Sequence, residues 1–344
     1  MLDAKRGSRY DASSQACSTP TPSQRMNAHE DQDAHEFRLI TGKLSGKTIR
    51  IPDVNAPPIP SIVAPGIIHD GVPAEGFGSI GSASDGYPDA LSFRRRFGLI
   101  VPATNTIMEQ ELWGLIFANQ GPEELRGIGI HTTTVAIPRP QVGTAEGLAN
   151  FKEQFLGGLE SAVTLALLAP PQYLIMGISL EHILTGIGPI REMMAKTETY
   201  CPLGWATEHD AIKAALDSYG AKRIGLLTPW EKIGNLSAKR MFEDLGFEVV
   251  SSVGFSCGNV QHIAHIPDWA KEKAIQELLA TADNRLDAIV QCGTNMSLNA
   301  VLERIEPIIG IPIIGVNAAI LWYALRENGF QSPLKGGGRL LREF

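Results

Sequence analysis

Two pairs of segments in this 344-residue chain repeat one strand-and-turn pattern, and the repeat limits the folds open to it. Residues 96–102 read RFGLIVP, and residues 223–229 read RIGLLTP. Residues 173–179 (YLIMGIS) align with residues 288–294 (AIVQCGT) when Gly177 is set against Cys292. Short apolar runs rich in β-branched residues are typical of buried parallel strands. The repeat therefore predicts two similar lobes that face each other across a cleft.

Strands alternate with helices from Arg96 onward. A helix is expected over residues 147–168, and another carries Glu109 and Glu111 in its first turns. The alternation predicts parallel sheets with helices on both faces. The expected fold is α/β, with two pseudo-symmetric Rossmann-like lobes and an interlobe active-site cleft. The expected strands are residues 97–102, 128–132, 173–176, 223–228, 248–253, 286–291 and 311–316.

Composition divides the chain into an extension and two lobes. Residues 1–95 are polar, rich in Pro and Gly, and without hydrophobic periodicity, so we expect a largely disordered N-terminal extension. Within this extension, short apolar segments such as residues 61–63 would pack on the folded lobes. The first lobe is predicted over residues 96–205, with residues 315–344 returning to it, and the second over residues 206–314.

Charge and cysteine content narrow the class of protein. The net charge is −7, and no basic run with interleaved aromatic residues occurs, which argues against a nucleic-acid partner. No secretory signal or apolar span of about 18 residues is found, so no membrane contact and a cytoplasmic location are expected. The four cysteines lack the spacing of metal ligands, so no metal site is predicted. A homo-oligomer stays open.

Cys292 is the residue most clearly suited to take part in a reaction. It ends the apolar run 286–290, and a helical segment is expected to begin near Ser297. In open α/β sheets ligands bind at this edge, and a helix N-terminus there would lower the pKa of a thiol. The alternative is a buried structural cysteine, because free cysteine is among the most buried residue types.

The expected partner of this site is a small carboxylic acid. Loss of a proton or of CO₂ beside its carboxylate would place negative charge on the carboxylate oxygens, and a thiol could then give or take a proton without any cofactor. Backbone N–H groups and hydroxyls could hold that charge, although Ser179 and Thr294 can equally be simple helix caps. The residues expected to line the cleft are Thr104, Asn105, Thr106, Gly177, Ile178, Ser179, Trp230, Cys292, Gly293 and Thr294.

The remaining cysteines and histidines carry weaker expectations. Cys201 is expected to be structural. His182 is either a second acid/base group in the cleft or a surface residue at a helix start. His209, beside Glu208 and Asp210, is expected on a solvated helix face. His262 and His265 lack a third metal ligand.

Two motifs resemble known enzymes. Residues 98–109 (GLIVPATNTIME) resemble the N-terminal signature of maleate cis–trans isomerases. Residues 176–180 (MGISL), together with Cys292 and Gly293, are similar to arylmalonate decarboxylase. Both belong to the aspartate/glutamate racemase superfamily, and the resemblance covers the chain from Arg96 to the C-terminus.

The resemblance implies a role for Cys292. Members of the superfamily usually offer one cysteine from each lobe, whereas the first-lobe position here is Gly177. The decarboxylase branch has glycine there and a single cysteine that protonates a planar enediolate. By resemblance, Cys292 is the proton donor, and Ser179 with the Gly293 N–H holds the carboxylate. A cofactor-independent decarboxylase (a lyase) is therefore favoured.

Four differences from these relatives leave alternatives open. Ile178 stands where the decarboxylase has threonine, and Trp230 where both relatives have tyrosine. Glu181 and His182 replace apolar and aromatic residues, which implies a more polar substrate. Asn105 matches a substrate-binding asparagine of the isomerases. A maleate or racemase-type isomerase is thus the first alternative, and a catalytically silent protein that binds a small acid is the second.

Overall fold

The structure, a computed structural model, describes residues 37–52, 68–70, 72–73, 91–137 and 145–344. Its strands are β1 (Phe37–Thr41), β2 (Thr48–Pro52), β3 (Ile68–His69), β4 (Val72–Pro73), β5 (Arg95–Pro102), β6 (Ile128–Val135), β7 (Tyr173–Met176), β8 (Trp205–Ala206), β9 (Arg223–Thr228), β10 (Glu248–Gly254), β11 (Ala288–Gln291) and β12 (Ile313–Gly315). Its α-helices are α1 (Met108–Ala118), α2 (Ala145–Leu167), α3 (Leu180–Ile183), α4 (Ile187–Thr197), α5 (Glu208–Ser218), α6 (Lys232–Asp244), α7 (Asp268–Ala274), α8 (Asn299–Ile309), α9 (Val316–Glu327) and α10 (Arg339–Glu343). A 3₁₀ turn covers Val260–His265, and a π turn over Ile275–Leu279 extends α7.

Two parallel four-stranded sheets confirm the predicted pair of similar lobes. The strand order is β6-β5-β7-β8 in the first lobe and β10-β9-β11-β12 in the second, so corresponding strands take the same place. The backbone N–H of Gly177 donates to the carbonyl of Ile100 (2.7 Å), and that of Cys292 donates to the carbonyl of Leu227 (3.0 Å). The repeat in the sequence is therefore a repeat in the fold.

The central strands are apolar because helices cover both faces of each sheet. Every residue of β7 and β11 is buried, as expected for parallel strands between two helical layers. β11 begins at Ala288, two residues later than the sequence predicts. The Asp287 carboxylate explains this start, because it accepts the backbone N–H groups of Lys222 and Arg223, both at 2.8 Å.

Helix α9 joins the lobes. It follows the last strand of the second sheet, but it packs against α5 and α1 and against β7 and β8 of the first. All twelve of its residues are buried. A helix buried on every side is apolar all round, which explains the run AAILWYAL within it.

A hairpin from the N-terminal extension packs on the first lobe. Strands β1 and β2 pair antiparallel, and Ile49 is only 3% exposed in the main core. At the hairpin turn, the Glu327 carboxylate accepts the backbone N–H groups of Leu44 (2.7 Å) and Ser45 (3.1 Å) and the Ser45 hydroxyl. This ordered hairpin lies within the segment for which the sequence predicts disorder. Residues 61–63 lie outside the described part of the chain.

Replacing Glu327 by alanine is expected to loosen the hairpin and lower the free energy of unfolding by about 2 kcal/mol. Two backbone N–H groups would lose their charged acceptor, and such bonds contribute about 1.5–3 kcal/mol each before compensation by water. Urea denaturation and limited proteolysis near residue 45 would measure both effects. Glu327→Gln keeps one acceptor oxygen and should lose less; equal stability of all three proteins would contradict the assigned role.

None of the helices in the described ranges is both long and apolar enough to cross a bilayer.

Candidate active site

Cys292 follows β11 directly and is wholly buried, with 0% exposure. Gly293 has φ +92°, and an added Cβ would lie 2.7 Å from the Pro229 side chain, so this turn requires glycine. The next helix, α8, begins only at Asn299. This start lies two residues beyond the one that the sequence predicts near Ser297, and the turn at residues 293–298 lies between the cysteine and the helix.

Thr294 connects the two lobes beside this cysteine. Its backbone N–H donates to Ser179 Oγ (3.2 Å), and its hydroxyl donates to the Gly177 carbonyl (2.8 Å). The same hydroxyl accepts from Asn105 Nδ2 (3.0 Å). Four residues that the sequence assigned to the cleft are therefore in direct contact: Asn105, Gly177, Ser179 and Thr294.

Asn105 and Asn295 extend this contact. Asn105 Oδ1 accepts the backbone N–H groups of Ile107 and Met108, both at 3.0 Å, so it also caps the start of α1. Asn295 Oδ1 accepts the Thr106 N–H (3.0 Å), and its amide donates to the Thr104 carbonyl (3.3 Å). The loop after β5 in one lobe is thus bonded to the loop after β11 in the other.

Glu111 closes the interface further from the thiol. From first-lobe helix α1, its Oε1 accepts the N–H groups of Leu298 (2.8 Å) and Asn299 (2.9 Å) at the start of α8. Its Oε2 accepts from Asn317 Nδ2 (2.8 Å) on α9. In the sequence, Glu111 stands out only as an acidic residue near a helix start, because its partners lie 187 to 206 residues further along the chain.

The first-lobe position Gly177 has no space for a side chain. An added Cβ would lie 2.6 Å from Val101 Cγ1, 2.7 Å from Met108 Sδ and 2.9 Å from the Ile100 carbonyl oxygen. Cβ atoms essentially never approach neighbours that closely. A second thiol opposite Cys292 would therefore need the backbone of β5 or β7 to move.

Gly177→Ala is accordingly expected to destabilise the fold by about 1–3 kcal/mol, the range for overpacked core positions. The contact with a backbone oxygen cannot be relieved by a side-chain rotation. Thermal unfolding would measure the loss. Gly188→Ala in α4 is the matched control, because nothing lies within 4 Å of its added Cβ; equal stability of both variants would contradict the close packing.

Two buried carboxyl groups meet the thiol. Glu181 on α3 is 1% exposed, and Glu208, the first residue of α5, is 3% exposed. Ligand atoms of Glu181, Glu208 and Cys292 all lie within 4.8 Å of one another. Burial raises the pKa of Glu208 to about 7, and the nearby groups that act on it are Glu181, the Cys292 thiol and the Ser179 hydroxyl. From the sequence, Glu181 is expected only to make the substrate pocket more polar, and Glu208 is not expected in the site.

The thiol of Cys292 is held in its neutral form. Burial, followed by the charges of Glu208 and Glu181, raises its pKa well above the ordinary value of 9.0. The sequence predicted a pKa lowered by a helix end, and the shift has the opposite sign. A neutral thiol can donate a proton, whereas nucleophilic attack and metal ligation require the thiolate.

Trp230 and His182, two predicted site residues, stack on each other. Trp230 is buried and stacks on the exposed His182 ring at 5.1 Å between centroids. Desolvation lowers the pKa of His182 below 6.5 despite the nearby Glu231. His182 is thus neutral at neutral pH.

The prediction for His209 is wrong. It is 5% exposed, on helix α5, which packs against α9. It lines a cavity of about 670 Å³ beneath the β1–β2 hairpin, together with Cys201 and Arg191. Cys201 is 2% exposed, and burial raises the pKa of its thiol to about 11, which agrees with a structural role. Cys292 is not among the residues lining this cavity.

Backbone donors remain free near the thiol. Within the described ranges, no hydrogen-bond acceptor meets the N–H groups of Ile178, Ser179 or Gly293. Ile178 is 2% exposed, so water does not readily replace a partner there. Free N–H groups in a buried site bind carboxylate oxygens well.

Comparisons with known proteins fit this geometry. The model of a family described as arylmalonate decarboxylase matches residues 159–341, which is more than half of the chain. A maleate isomerase from Nocardia farcinica is 23% identical over 254 residues, covering 72% of this chain and 96% of that protein.

Solved structures share the two-lobe fold. The Nocardia farcinica maleate cis–trans isomerase bound to TRIS gives a TM-score of 0.62 at 22% identity, covering 72% of this chain and 98% of its own. The Pseudomonas putida maleate isomerase gives 0.62 at 21% identity, with 72% and 98% covered. A doubly substituted arylmalonate decarboxylase in its liganded form gives 0.59 at 15% identity, with 73% and 100% covered.

Proposed function

The chain belongs to the arylmalonate decarboxylase family, and we propose that it is a cofactor-independent decarboxylase that acts on a small malonate-like diacid through Cys292. The observation that carries this proposal is the state of the Cys292 thiol. It is wholly buried and kept neutral beside two carboxyl groups. A buried neutral thiol is suited to protonating a carbanion-like intermediate.

The reaction follows from the groups around the thiol. One substrate carboxylate binds the free N–H groups of Ile178, Ser179 and Gly293. The other leaves as CO₂, and the electrons of the broken C–C bond form an enediolate whose charge those donors stabilise. The S–H of Cys292 then gives its proton to the α-carbon, and the resulting thiolate must regain a proton before the next turnover.

Entry of the substrate requires the lobes to part. Cys292 is inaccessible, and Thr294 bridges Ser179, Gly177 and Asn105 across the interface. We propose that a substrate carboxylate takes over the Thr294 N–H and hydroxyl when it binds. Closure around the substrate would then exclude water from the enediolate.

The chemistry of the walls favours a polar substrate. The carboxyl groups of Glu181 and Glu208 lie within 4.8 Å of the Cys292 sulfur, so the surroundings of the thiol are polar. A diacid with a small or hydroxylated substituent therefore fits better than one with a large ring.

Maleate isomerisation is the second candidate, and it is supported by the Nocardia farcinica relative and by Asn105 at the interface. One solved mutant of that isomerase carries a covalently bound succinylcysteine intermediate. A covalent step of this kind needs a thiolate nucleophile. The raised pKa of Cys292 and the glycine at position 177 count against such a step here.

Turnover in D₂O separates the candidates. The full chain would be incubated with malonate, methylmalonate, hydroxymalonate, phenylmalonate and maleate, and followed by NMR and by CO₂ release. We expect CO₂ and one deuteron at the α-carbon of a malonate product. Conversion of maleate to fumarate without CO₂ would favour the isomerase instead. Thermal stabilisation by a diacid without any turnover would indicate a binding protein.

A further inference from the structure

The buried carboxyl groups of Glu181 and Glu208, here called the acid pair, have no role in the reaction described above. Glu181 lies on α3 and Glu208 on α5, and their carboxyl oxygens and the Cys292 sulfur all lie within 4.8 Å of one another. None of their four oxygens has a hydrogen-bond partner of good geometry in the described part of the chain. Buried carboxylates without partners are very costly, so the pair cannot rest as two anions.

Burial raises the pKa of both carboxyl groups, and Glu208 raises the pKa of Glu181 further, whereas Glu181 lowers the pKa of Glu208. For Glu181, burial comes first, followed by the charge of Glu208. For Glu208, burial dominates and brings its pKa to about 7. Two carboxyl groups in such a site retain a proton at a pH where isolated ones would be ionised.

Within the described ranges, no cation is among the groups that shift the pKa of the acid pair. Helix α6 packs on α3, and α9 packs on α5. The charged residues of α6 include two ion pairs of their own, Lys239 with Glu243 and Arg240 with Asp244. On α9, Arg326 donates to backbone carbonyls of Phe330, Ser332 and Phe344, and Glu327 holds the β1–β2 hairpin.

Other charged residues on the neighbouring helices shift the pKa of groups outside the acid pair. On α4, Arg191 acts on His209, as do Asp210 of α5 and Lys47 of the hairpin turn. Tyr323 of α9 is affected by Asp210 and Glu327, and Glu231, before α6, acts on His182. The titratable groups that shift either member of the acid pair are each other and Cys292.

We propose that the acid pair stores one proton and returns it to Cys292 after each turnover. This inference rests on the proposed function, because it supplies the proton that the thiolate must regain. The S–H bond of Cys292 breaks as the substrate C–H bond forms, leaving a thiolate. An O–H bond of the acid pair then breaks and the S–H bond re-forms, and the pair recovers its proton from water when the product leaves.

The direction of that transfer follows from acidity. A thiolate beside these carboxyl groups is a stronger base than Glu208, since the pKa of the thiol lies well above 9 and that of the carboxyl near 7. Proton return is therefore downhill. Glu181 and Glu208 are positioning residues in this scheme, because they act on the substrate only through Cys292.

The proton can be detected without a substrate. Infrared spectra of the full chain in H₂O and D₂O would show the carbonyl stretch of a protonated buried carboxyl at pH 6. We expect this band in the wild type, its loss as the pH rises through about 7, and its weakening in Glu208→Gln. Glu192→Gln, an exposed site on α4, should leave it unchanged. No protonated band at pH 6 would overturn the proposal.

The pH dependence of the free energy of unfolding gives a second readout, and it needs no substrate. Glu208 binds its proton more tightly in the folded chain than in the unfolded one, where its pKa is near 4.5. The stability from this site is therefore complete below about pH 4.5 and is lost as the pH rises through about 7. We expect this loss to be reduced in Glu208→Gln and in Glu181→Gln, and unchanged in Glu192→Gln. An unchanged pH dependence in both acid-pair variants would overturn the proposal.

Kinetics test the link to turnover separately. With a diacid that is turned over, Glu208→Gln should lower kcat by 10-fold or more at nearly constant KM and remove the titration near pH 7 from the kcat profile. If the infrared band is present but no diacid is turned over, the proposed function fails while the shared proton stands. A stoichiometric metal ion in the purified protein that is lost in Glu208→Gln would instead assign the three groups to the metal.

Discussion

Cys292→Ala is expected to lower kcat/KM for the decarboxylated diacid by about 10³-fold. A positioned acid group contributes about 10²–10⁴-fold to a proton transfer, and no other thiol faces this position because Gly177 has no side chain. KM should change little, since the carboxylate is bound by backbone N–H groups. Steady-state CO₂ release would give both constants.

Two further variants test whether the loss of activity comes from the Cys292 thiol itself. Cys292→Ser keeps an O–H of similar size but of much higher pKa, so it should retain less than a hundredth of the activity. Cys257→Ala, at a half-buried thiol outside the site, should behave like the wild type. Parent activity in Cys292→Ala would end the proposed mechanism.

Glu111→Ala is expected to lower the free energy of unfolding by about 3 kcal/mol and to impair turnover. Its carboxylate accepts three hydrogen bonds from Leu298, Asn299 and Asn317, which belong to the opposite lobe or to α9. Removing it leaves two backbone N–H groups without an acceptor and takes one of two acceptors from the Asn317 amide, which still donates to the Thr294 carbonyl (3.0 Å). Urea denaturation measures the loss directly.

The neighbouring Glu109 provides the control. It lies on the same first turn of α1 but is exposed, so Glu109→Ala should change stability by less than about 0.5 kcal/mol. Glu111→Gln should fall between the two, because it keeps one acceptor oxygen. Indistinguishable unfolding curves for Glu109→Ala and Glu111→Ala would contradict the role of Glu111 in joining the lobes.

The fold was predictable because the sequence patterns of its strands are local and occur twice along the chain. Strands β5 and β9 share a sequence pattern, and β7 and β11 are short apolar runs that end at Gly177 and Cys292. These patterns give two parallel sheets without knowledge of any long-range contact. The predicted branch of the superfamily is confirmed by the family match and the relatives.

The site was predictable only in part. Ser179 and Thr294 were placed by the repeat, and the structure brings them into contact. Glu208 was missed because an acidic residue followed by His209 and Asp210 is typical of an exposed helix start. Its burial depends on α9, which is contributed from more than 100 residues away. The direction of the Cys292 pKa shift is not predictable from the sequence for the same reason, since its neighbours Glu181 and Glu208 lie far from it along the chain.

The protonation state of Cys292 tests the central claim most directly. The far-ultraviolet absorbance of thiolates would be titrated in the wild type and in Cys292→Ala, and the difference assigns the step to this residue. We predict no thiolate from Cys292 at any pH up to 9, the ordinary value for the group. A difference step near neutral pH would show a thiolate nucleophile and contradict the role of Cys292 as a neutral proton donor.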